Sequence, residues 1–187
     1  MRLHAGFRHS PCTLTHVPQF ARTTRDLASF VLDQDAIFVG GGNTRSMLAV
    51  WREWGLDRHL RDAWNAGVVL GGASAGSICW FEHGLTDSVA GPLTAMPCLG
   101  FLPGANCPHY DSEAARRPTL HRMIARGTLQ EALAADDGVA LHFIDIQLAK
   151  AVSSKPRANA YRVRKSAKRA VETRLATKYL GARTSTK

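Results

Sequence analysis

A serine between small residues, in Gly72-Ala73-Ser74-Ala75-Gly76, has the clearest potential for chemistry in this chain. The segment fits the G-x-S-x-G pattern, in which a strand enters, the chain turns sharply and a helix leaves. Small neighbours let such a turn close and expose the hydroxyl, and the first N–H groups of the helix can stabilise a developing oxyanion. Because the apolar run 68–71 precedes it and a helix-like segment follows, Ser74 is a candidate nucleophile and Ala75 N–H a candidate oxyanion donor.

A second glycine-rich loop, Gly40-Gly41-Gly42-Asn43-Thr44, follows the apolar run 36–39. Arg45 stands where a dinucleotide fingerprint needs its third glycine, and the Gly-Lys-Ser/Thr of a phosphate loop is absent. Loops at the carboxyl ends of parallel strands gather at one edge of an open α/β sheet. We therefore expect the N–H of Gly41 or Gly42 to act as a second oxyanion donor beside Ser74.

A nucleophilic serine needs a base and a carboxylate that orients the base. His109 is the best candidate base, because it lies on a loop in Asn106-Cys107-Pro108-His109-Tyr110-Asp111. The other histidines fall in the irregular N-terminal stretch, inside predicted elements, or, for His83, at the far end of the predicted helix after Ser74. Four carboxylates could orient His109, and their spacing alone does not choose among them: Asp87, Asp111, Glu113 and Glu82.

The hydrophobic pattern predicts an alternation of strands and helices, which is typical of a parallel sheet covered by helices. The predicted helices are 25–33, a helix capped by Thr44 that ends at Gly55, a helix capped by Asp57 that ends near Gly67, 77–82, about 113–126 and a short one around 128–135. The predicted strands are 36–39, 68–71, 139–143, 147–152 and 160–163. We expect the last three to be antiparallel edge strands, with a loop-rich stretch before them at the prolines 92, 97, 103 and 108.

Length and composition predict one globular domain over 1–187. The chain has 187 residues, of which 45% are hydrophobic, so it can form one core rather than several. It has no apolar run near the roughly 20 residues of a membrane span, and its first residues lack the apolar stretch of a signal peptide. We expect a cytoplasmic protein without a membrane partner. The four cysteines lack C-x-x-C spacing, which favours reduced thiols over a zinc site or a disulfide framework.

The positive charge is confined to the C-terminal part of the chain. The formal net charge is +9, but residues 151–187 contain 11 Lys and Arg against one acid, Glu172. The first 150 residues contain 13 basic and 14 acidic residues. We expect the basic segment 155–187 to be a solvated face or a frayed tail, with contact to nucleic acid as the less favoured interpretation.

These motifs together resemble the peptidase E family of serine dipeptidases, which cleave after an N-terminal aspartate and are related to cyanophycinase. The resemblance covers about Thr24 to Ser154, through segments 37–44, 72–82, 84–88 and 108–111. It implies a three-layer α/β sandwich with a mostly parallel central sheet, as in class I glutamine amidotransferases. It also implies a small peptide as substrate, with no cofactor and no metal.

The resemblance assigns roles to individual residues. Ser74 would be the nucleophile, His109 the base, and Gly41, Gly42 and Ala75 the oxyanion hole. The family pattern places an acid between the serine and the histidine, which favours Asp87, with Glu82 in reserve; Asp111 would suit the His-x-Glu arrangement of glutamine amidotransferases. Asn43, Arg116 and Arg117 are candidate substrate-binding residues, with Arg122 as a further cation, because an aspartyl side chain needs a positive partner.

The N-terminal stretch 1–23 departs from the family pattern, because members begin with a strand, a glycine-rich loop, a helix and another strand. Here that unit is expected to be missing or replaced by an irregular segment, and a homodimer could then cover an exposed sheet edge. The sequence predicts a serine-type aspartyl dipeptidase. The alternatives are a cyanophycinase-like hydrolase, or a non-catalytic homologue whose basic tail binds nucleic acid.

Overall fold

A computed structural model describes residues 11–19 and 21–181 of the chain. Its helices are α1 (Leu27–Leu32), α2 (Thr44–Trp54), α3 (Leu56–Asn65), α4 (Ala75–Ile78) and α5 (Arg116–Arg126). Its strands are β1 (Ala36–Val39), β2 (Val69–Gly72), β3 (Phe81–Thr86), β4 (Thr94–Pro97), β5 (Leu102–Cys107), β6 (Glu131–Ala135), β7 (Val139–Ile144), β8 (Gln147–Ser153), β9 (Ala160–Ser166), β10 (Arg169–Leu175) and β11 (Thr177–Tyr179). Over these ranges no helix combines the length and apolar character needed to cross a membrane.

The strands form three sheets with a parallel centre. β1 and β2 pair in parallel, and the six-stranded sheet has the order β10-β9-β6-β5-β3-β4. In that sheet β3–β5 and β5–β6 are parallel, whereas β4, β9 and β10 join antiparallel at the two sides. The third sheet contains the antiparallel hairpin β7–β8 and β11. The predicted α/β fold, with a mostly parallel core and antiparallel edge strands, is confirmed.

The six-stranded sheet separates two hydrophobic cores, because successive side chains of a strand point to opposite faces. On β6, Ala132 and Ala134 belong to the core that contains Leu120 and Ile124 of α5. Leu133, between them, belongs to the other core, which also contains side chains of α2, α3 and the β7–β8 hairpin. The sheet is therefore covered on both faces, as a parallel sheet requires.

Helices α2 and α3 follow the apolar spacing read from the sequence. Met47, Leu48 and Trp51 of α2 are buried, as are Leu56 and Leu60 of α3. The N-terminal caps predicted for the two helices lie one or two residues away from the observed caps. Asn43 rather than Thr44 caps α2, and Gly55, in a left-handed conformation, lies between the two helices, so that Asp57 falls in the first turn of α3.

Two predicted helices are wrong. The segment 77–82 was expected to be helical, but α4 ends at Ile78 and β3 begins at Phe81, so His83 lies on a strand. The segment 128–135 contains the strand β6, Glu131–Ala135. Its Glu-Ala-Leu-Ala-Ala sequence favours a helix by intrinsic propensity. Tertiary packing overrides that preference, because the segment fits between β5 and β9 with both faces buried.

The stretch rich in prolines contains two strands rather than loops alone. Pro97 ends β4, which is the edge strand beside β3, where a missing N–H costs no ladder hydrogen bond. Pro103 lies in β5 where its pairing with β3 shifts register between Phe81 and His83. Both prolines thus occupy positions that a sheet tolerates.

The N-terminal and C-terminal segments of the chain differ in their secondary structure. Residues 11–19 and 21–26 contain no helix or strand, and the rest of the predicted irregular stretch 1–23 lies outside the described residues. The basic segment was expected to be a solvated face or a frayed tail. Up to residue 179 it forms β9, β10 and β11, so it is not frayed there, and most of its cations are exposed on these strands and their turn. β9 pairs directly with β6, so this segment completes the central sheet.

Candidate active site

The candidate site lies at the carboxyl ends of four parallel strands. The loop after β1 carries the three glycines, the turn after β2 carries Ser74, the loop after β5 carries His109, and the turn after β6 carries Asp137. Ligand sites of open α/β sheets form at this edge, because the loops there converge while the strands hold them at fixed spacing. β5 and β6 are neighbours in the sheet, which brings His109 and Asp137 together.

The turn at Ser74 has the strained geometry of a nucleophile elbow. Ser74 has φ 56° and ψ −119°, and Ala75 begins α4 immediately after it. A Cβ on Gly72 would lie 2.1 Å from the carbonyl oxygen of Gly76, and one on Gly76 would lie 2.2 Å from that of Val39. Both motif glycines are therefore required because the turn packs its backbone directly against β1.

A polar link fixes the elbow to the central sheet. Ser77 Oγ lies 2.8 Å from the Ser74 carbonyl oxygen and 3.1 Å from Asn106 Oδ1. Asn106 is buried on β5, and its Nδ2 donates to the Leu133 carbonyl on β6. The nucleophile turn is thus tied to the two strands that carry the other members of the site.

Three side chains form a continuous hydrogen-bonded series. His109 Nε2 lies 2.9 Å from Ser74 Oγ, and His109 Nδ1 lies 2.7 Å from Asp137 Oδ1. The imidazole and the carboxylate are each about one-third exposed, with relative exposures of 29% and 35%. This arrangement has the geometry of a serine, a base and an orienting carboxylate. It combines the predicted Ser74 and His109 with an aspartate that the sequence analysis did not consider.

Asp137 replaces Asp87 as the carboxylate beside the imidazole, so the prediction of Asp87 is wrong in geometry. Asp87 is exposed at the end of β3, where the chain turns toward α2 and Ser88 Oγ accepts from Thr44 N at 2.8 Å. The reserve residue, Glu82, accepts from Gly104 N instead. The reason is the strand order: β6, and not the segment after β3, ends beside the loop of His109 on the far side of β5.

The other two carboxylates near His109 in sequence also have different partners. Asp111 Oδ1 accepts from the backbone N of Asp137 at 2.8 Å, so it supports the acid rather than replacing it. Glu113 pairs with Arg116. The hydrogen bond from His109 lowers the pKa of Asp137, which favours the ionised carboxylate that an imidazolium partner needs.

The predicted oxyanion donors lie around the serine. Gly41 faces the nucleophile, since a Cβ on it would lie 3.2 Å from Ser74 Cβ and 3.6 Å from Ser74 Oγ. Gly42 follows with φ 146°. Ala75 is the first residue of α4, and among the described residues no acceptor is bonded to its N–H. A free helical N–H next to the nucleophile is the donor that an oxyanion hole uses.

Asn43 has a structural role that was not expected. Its Oδ1 accepts from Ser46 N and caps α2, while its Nδ2 donates to the carbonyl oxygen of Ser88. Both ends of the amide are therefore engaged within the protein, so its position does not support the assignment to substrate binding. The side chain instead fixes the glycine loop between β1 and α2 against the segment that follows β3.

The arginines proposed to bind substrate are also engaged elsewhere. Arg116 is buried, bonded to Glu113 and to the Leu85 carbonyl oxygen. Arg117 forms an ion pair with Glu172, and Arg122 donates to the Thr119 hydroxyl. The predictions for Arg116 and Arg117 are therefore not supported by their positions, because the start of α5 faces the sheet and strand β10.

One signal in the sequence could have identified Asp137. Asp136-Asp137-Gly138 directly follows Ala132-Leu133-Ala134-Ala135, which is an apolar run ended by polar residues and a glycine, like the ends of β1 and β2. Assigning that run to a helix hid the pattern, because the carboxyl end of a helix does not bring a side chain to the functional edge of the sheet. Within the described ranges, no three His, Cys, Asp or Glu side chains gather where they could hold a metal.

Comparison with known proteins gives consistent results. A model of peptidase family S51 matches residues 2–151. The Bacillus subtilis (strain 168) protein called "Uncharacterized peptidase YgaJ" is 52% identical over 180 residues, which are 96% of this chain and 78% of the relative.

Two solved structures also align with this chain. A peptidase from an acI-B1 Actinobacterium aligns with a TM-score of 0.52 at 14% identity, over 81% of this chain and 61% of its own. A protein from Listeria monocytogenes EGD-e, named as a candidate peptidase E, aligns with a TM-score of 0.49 at 18% identity, over 87% and 70% of the two chains.

Proposed function

Because the chain belongs to peptidase family S51, we propose that it is a serine-type peptidase with Ser74, His109 and Asp137 as its catalytic triad. The observation that carries the proposal is the pair of contacts made by His109, 2.9 Å to the serine hydroxyl and 2.7 Å to the carboxylate. A base held between a nucleophile and an orienting acid is the arrangement that activates a hydroxyl for acyl transfer.

The proposed reaction has two halves. Ser74 Oγ attacks the scissile carbonyl while His109 Nε2 takes the hydroxyl proton, and the carbonyl oxygen becomes an oxyanion. Collapse of this intermediate breaks the C–N bond, and His109 returns the proton to the leaving amine, which leaves an acyl ester on Ser74. Water, deprotonated by His109, then cleaves the ester and regenerates the hydroxyl.

Asp137 and the oxyanion donors supply the electrostatic support. The carboxylate of Asp137 holds the proton-bearing Nδ1 of His109 and stabilises the imidazolium during each half of the reaction. The N–H of Ala75 and an N–H of Gly41 or Gly42 would hydrogen-bond the oxyanion. Removing one such donor in a serine peptidase typically slows turnover by about 10²–10³-fold.

The proposed substrate is a short peptide with an N-terminal aspartate, as the resemblance to peptidase E implies. Such a side chain needs a cation. Since Arg116 and Arg117 have partners within the fold, we assign this role to Lys155, on the turn between β8 and β9. A Cβ on Gly138, the residue after Asp137, would lie 3.0 Å from Lys155 Cγ, so the Lys155 side chain packs against the turn that carries the acid. The ammonium forms no ion pair with any residue that the structure describes.

The first experiment measures hydrolysis of Asp-p-nitroanilide by the wild type and by Ser74→Ala, with anilides of Asn, Glu and Leu beside it. We expect turnover of the Asp compound alone and its loss, by about 10³-fold or more, in the variant. Circular dichroism of Ser74→Ala should match the wild type, because the substitution removes one oxygen from a half-exposed turn.

Each other outcome points to a different conclusion. Full activity in Ser74→Ala would contradict the nucleophile. Turnover of other N-terminal residues with the same dependence on Ser74 would keep the serine mechanism and reject aspartyl specificity. A folded wild type that hydrolyses none of the anilides and does not react with a fluorophosphonate would contradict the proposed peptidase chemistry altogether.

A further inference from the structure

The loop that carries His109 is held in an unfavourable backbone conformation. His109 has φ 58°, in the left-handed region that a residue with a side chain rarely occupies. Such a conformation persists only when the surroundings impose it. Neighbouring contacts must therefore hold the loop, and they determine where the imidazole points.

The residue after the histidine is the anchor of this loop. The backbone N of Tyr110 donates to the Ala135 carbonyl oxygen at 3.1 Å, at the end of β6. Its side chain is buried, and its hydroxyl donates to Glu172 Oε2 at 2.6 Å. Glu172 lies on β10, which is an edge strand of the six-stranded sheet. A strand far from the site in the sequence therefore contacts the residue next to the base.

Glu172 is fixed in turn by a set of cations and rings. Arg117 pairs with both of its carboxylate oxygens, and His121 Nε2 lies 2.9 Å from Oε2. The Arg117 guanidinium also lies over two aromatic rings, 4.8 Å from the centroids of Tyr110 and Tyr161. A planar guanidinium can stack on aromatic rings and form an ion pair with a carboxylate at the same time. Arg117 therefore restrains the two tyrosine rings and Glu172 together.

The charge state of Glu172 is consistent with this role. Burial acts to raise its pKa, but the hydrogen bonds from Arg117, Tyr110 and His121 outweigh burial and hold the pKa at about 2. Its side chain has a relative exposure of only 19%. The carboxylate is thus ionised across the ordinary pH range, and it is shielded enough for the hydrogen bonds to be stronger than surface ones.

We propose that Glu172 is a positioning residue for the active site, which acts through Tyr110 and Arg117 to hold His109 between Ser74 and Asp137. This inference rests on the proposed function. It also gives a role to the segment beyond residue 151, where the match to the family model ends. The same segment also holds the residue before the acid: Asn159 N donates to Asp136 Oδ2, and Asp136 N donates to the Asn159 carbonyl oxygen.

Three variants test the proposal. Glu172→Gln removes the charge and keeps the shape, and Tyr110→Phe removes only the hydroxyl donor. The matched control is Glu131→Gln, because Glu131 also accepts from two arginines, Arg162 and Arg164, but lies at the opposite end of β6 from Asp137. The measurements are kcat and KM on Asp-p-nitroanilide, together with the thermal unfolding midpoint.

We expect kcat to fall about ten-fold in Glu172→Gln and in Tyr110→Phe, with KM changed less than about two-fold, because a misplaced base slows the chemical step. The double variant should lose no more than the worse single variant, since both changes break one contact. Glu131→Gln should keep the wild-type kcat. Equal kcat values in Glu172→Gln and Glu131→Gln, or additive losses in the double variant, would overturn the proposal.

A second measurement does not depend on the substrate. The proton between His109 Nδ1 and Asp137 should give a low-field NMR resonance, identified by its absence in Asp137→Asn. We expect Glu172→Gln to shift or broaden that resonance and Glu131→Gln to leave it unchanged. If the wild type hydrolyses none of the anilides and does not react with a fluorophosphonate, the proposed function fails. An unchanged resonance in folded Glu172→Gln would separately overturn the positioning role.

Discussion

Ser74 and His109 both have positive φ angles, 56° and 58°, and their side chains are in contact at 2.9 Å. Each conformation is strained for a residue with a Cβ. The strain at Ser74 exposes the hydroxyl at the end of β2, and the strain at His109 turns the imidazole back toward it. Strained residues gather at functional sites because the fold, rather than local preference, holds them.

Substituting the carboxylate beside the base should separate the observed acid from the one expected from the sequence. We expect Asp137→Asn to lower kcat/KM for Asp-p-nitroanilide by about 10³–10⁴-fold, because an amide cannot stabilise the imidazolium and favours the wrong tautomer. Asp87→Asn is the control and should stay within about two-fold of the wild type, since that side chain is exposed. A large loss in Asp87→Asn with an active Asp137→Asn would reverse the assignment.

The proposed specificity cation can be tested by removing its charge and keeping its length. Lys155→Met should raise KM for Asp-p-nitroanilide about ten-fold or more, because the aspartyl side chain loses a charge-assisted partner. Arg45→Met is the comparison, since Arg45 is an exposed cation in the first turn of α2, next to the glycine loop. A KM effect confined to Arg45→Met would move the specificity role to that residue.

At the scale of elements, the site depends on how closely the nucleophile turn packs against β1. Gly72 and Gly76 pass so near the carbonyls of Gly76 and Val39 that neither position has room for a methyl group. The free backbone N–H of Ala75 follows from the same packing, because α4 begins directly at the turn. The glycines of the motif therefore serve the fold and the chemistry together.

Gly76→Ala should destabilise the protein by about 3 kcal/mol, because the added Cβ would overlap backbone atoms that cannot move independently. Gly40→Ala is the control: a Cβ there has nothing within 4 Å, and its backbone φ is not positive. Urea unfolding followed by circular dichroism measures both. A stable, folded Gly76→Ala protein would show that the turn is more adaptable than its backbone contacts indicate.

At the scale of the whole molecule, the basic C-terminal segment is part of the folded sheet and not an appendage. Arg162 and Arg164 pair with Glu131, and the one acid of the segment, Glu172, pairs with Arg117 of α5. Contact with nucleic acid stays a prediction for the remaining cations. The homodimer also stays a prediction. The β1–β2 pair leaves the side chains of Phe38 and Val69 exposed, at 48% and 65%. Light scattering would measure whether two chains associate in solution.

The Glu172 cluster predicts a specific loss of stability in acid. Its pKa in the folded protein, about 2, lies below the ordinary value of 4.5. A depressed carboxylate pKa stabilises the fold above the unfolded-state value, and this contribution is lost as the pH falls from about 4.5 toward about 2. We expect urea midpoints to fall over that range in the wild type and to fall less steeply in Glu172→Gln. Parallel curves would show that other groups dominate acid unfolding.

Features with local physical causes could be predicted from the amino-acid sequence. The elbow at Ser74, the glycine loop after β1, the helices α2 and α3 and the loop position of His109 follow from small residues, caps and apolar spacing. The family resemblance drawn from these motifs agrees with the family match. The antiparallel strands β7, β8 and β9 were also predictable, because their alternation of side chains is visible along the chain. Their expected place at a sheet edge holds for β7 alone of the three, since β8 lies between β7 and β11 and β9 lies between β6 and β10.

The carboxylate that contacts the base, and the cations that have no partner within the fold, depend on long-range packing. Glu131–Ala135 has the composition of a helix, and it becomes a strand because β5 and β9 bury both of its faces. That change of element places Asp137 beside His109 and leaves Asp87 on the other side of β5. Arg116 and Arg117 are engaged by partners 31 and 55 residues away. Contacts at such separations depend on strand order and burial, which no pattern of neighbouring residues specifies.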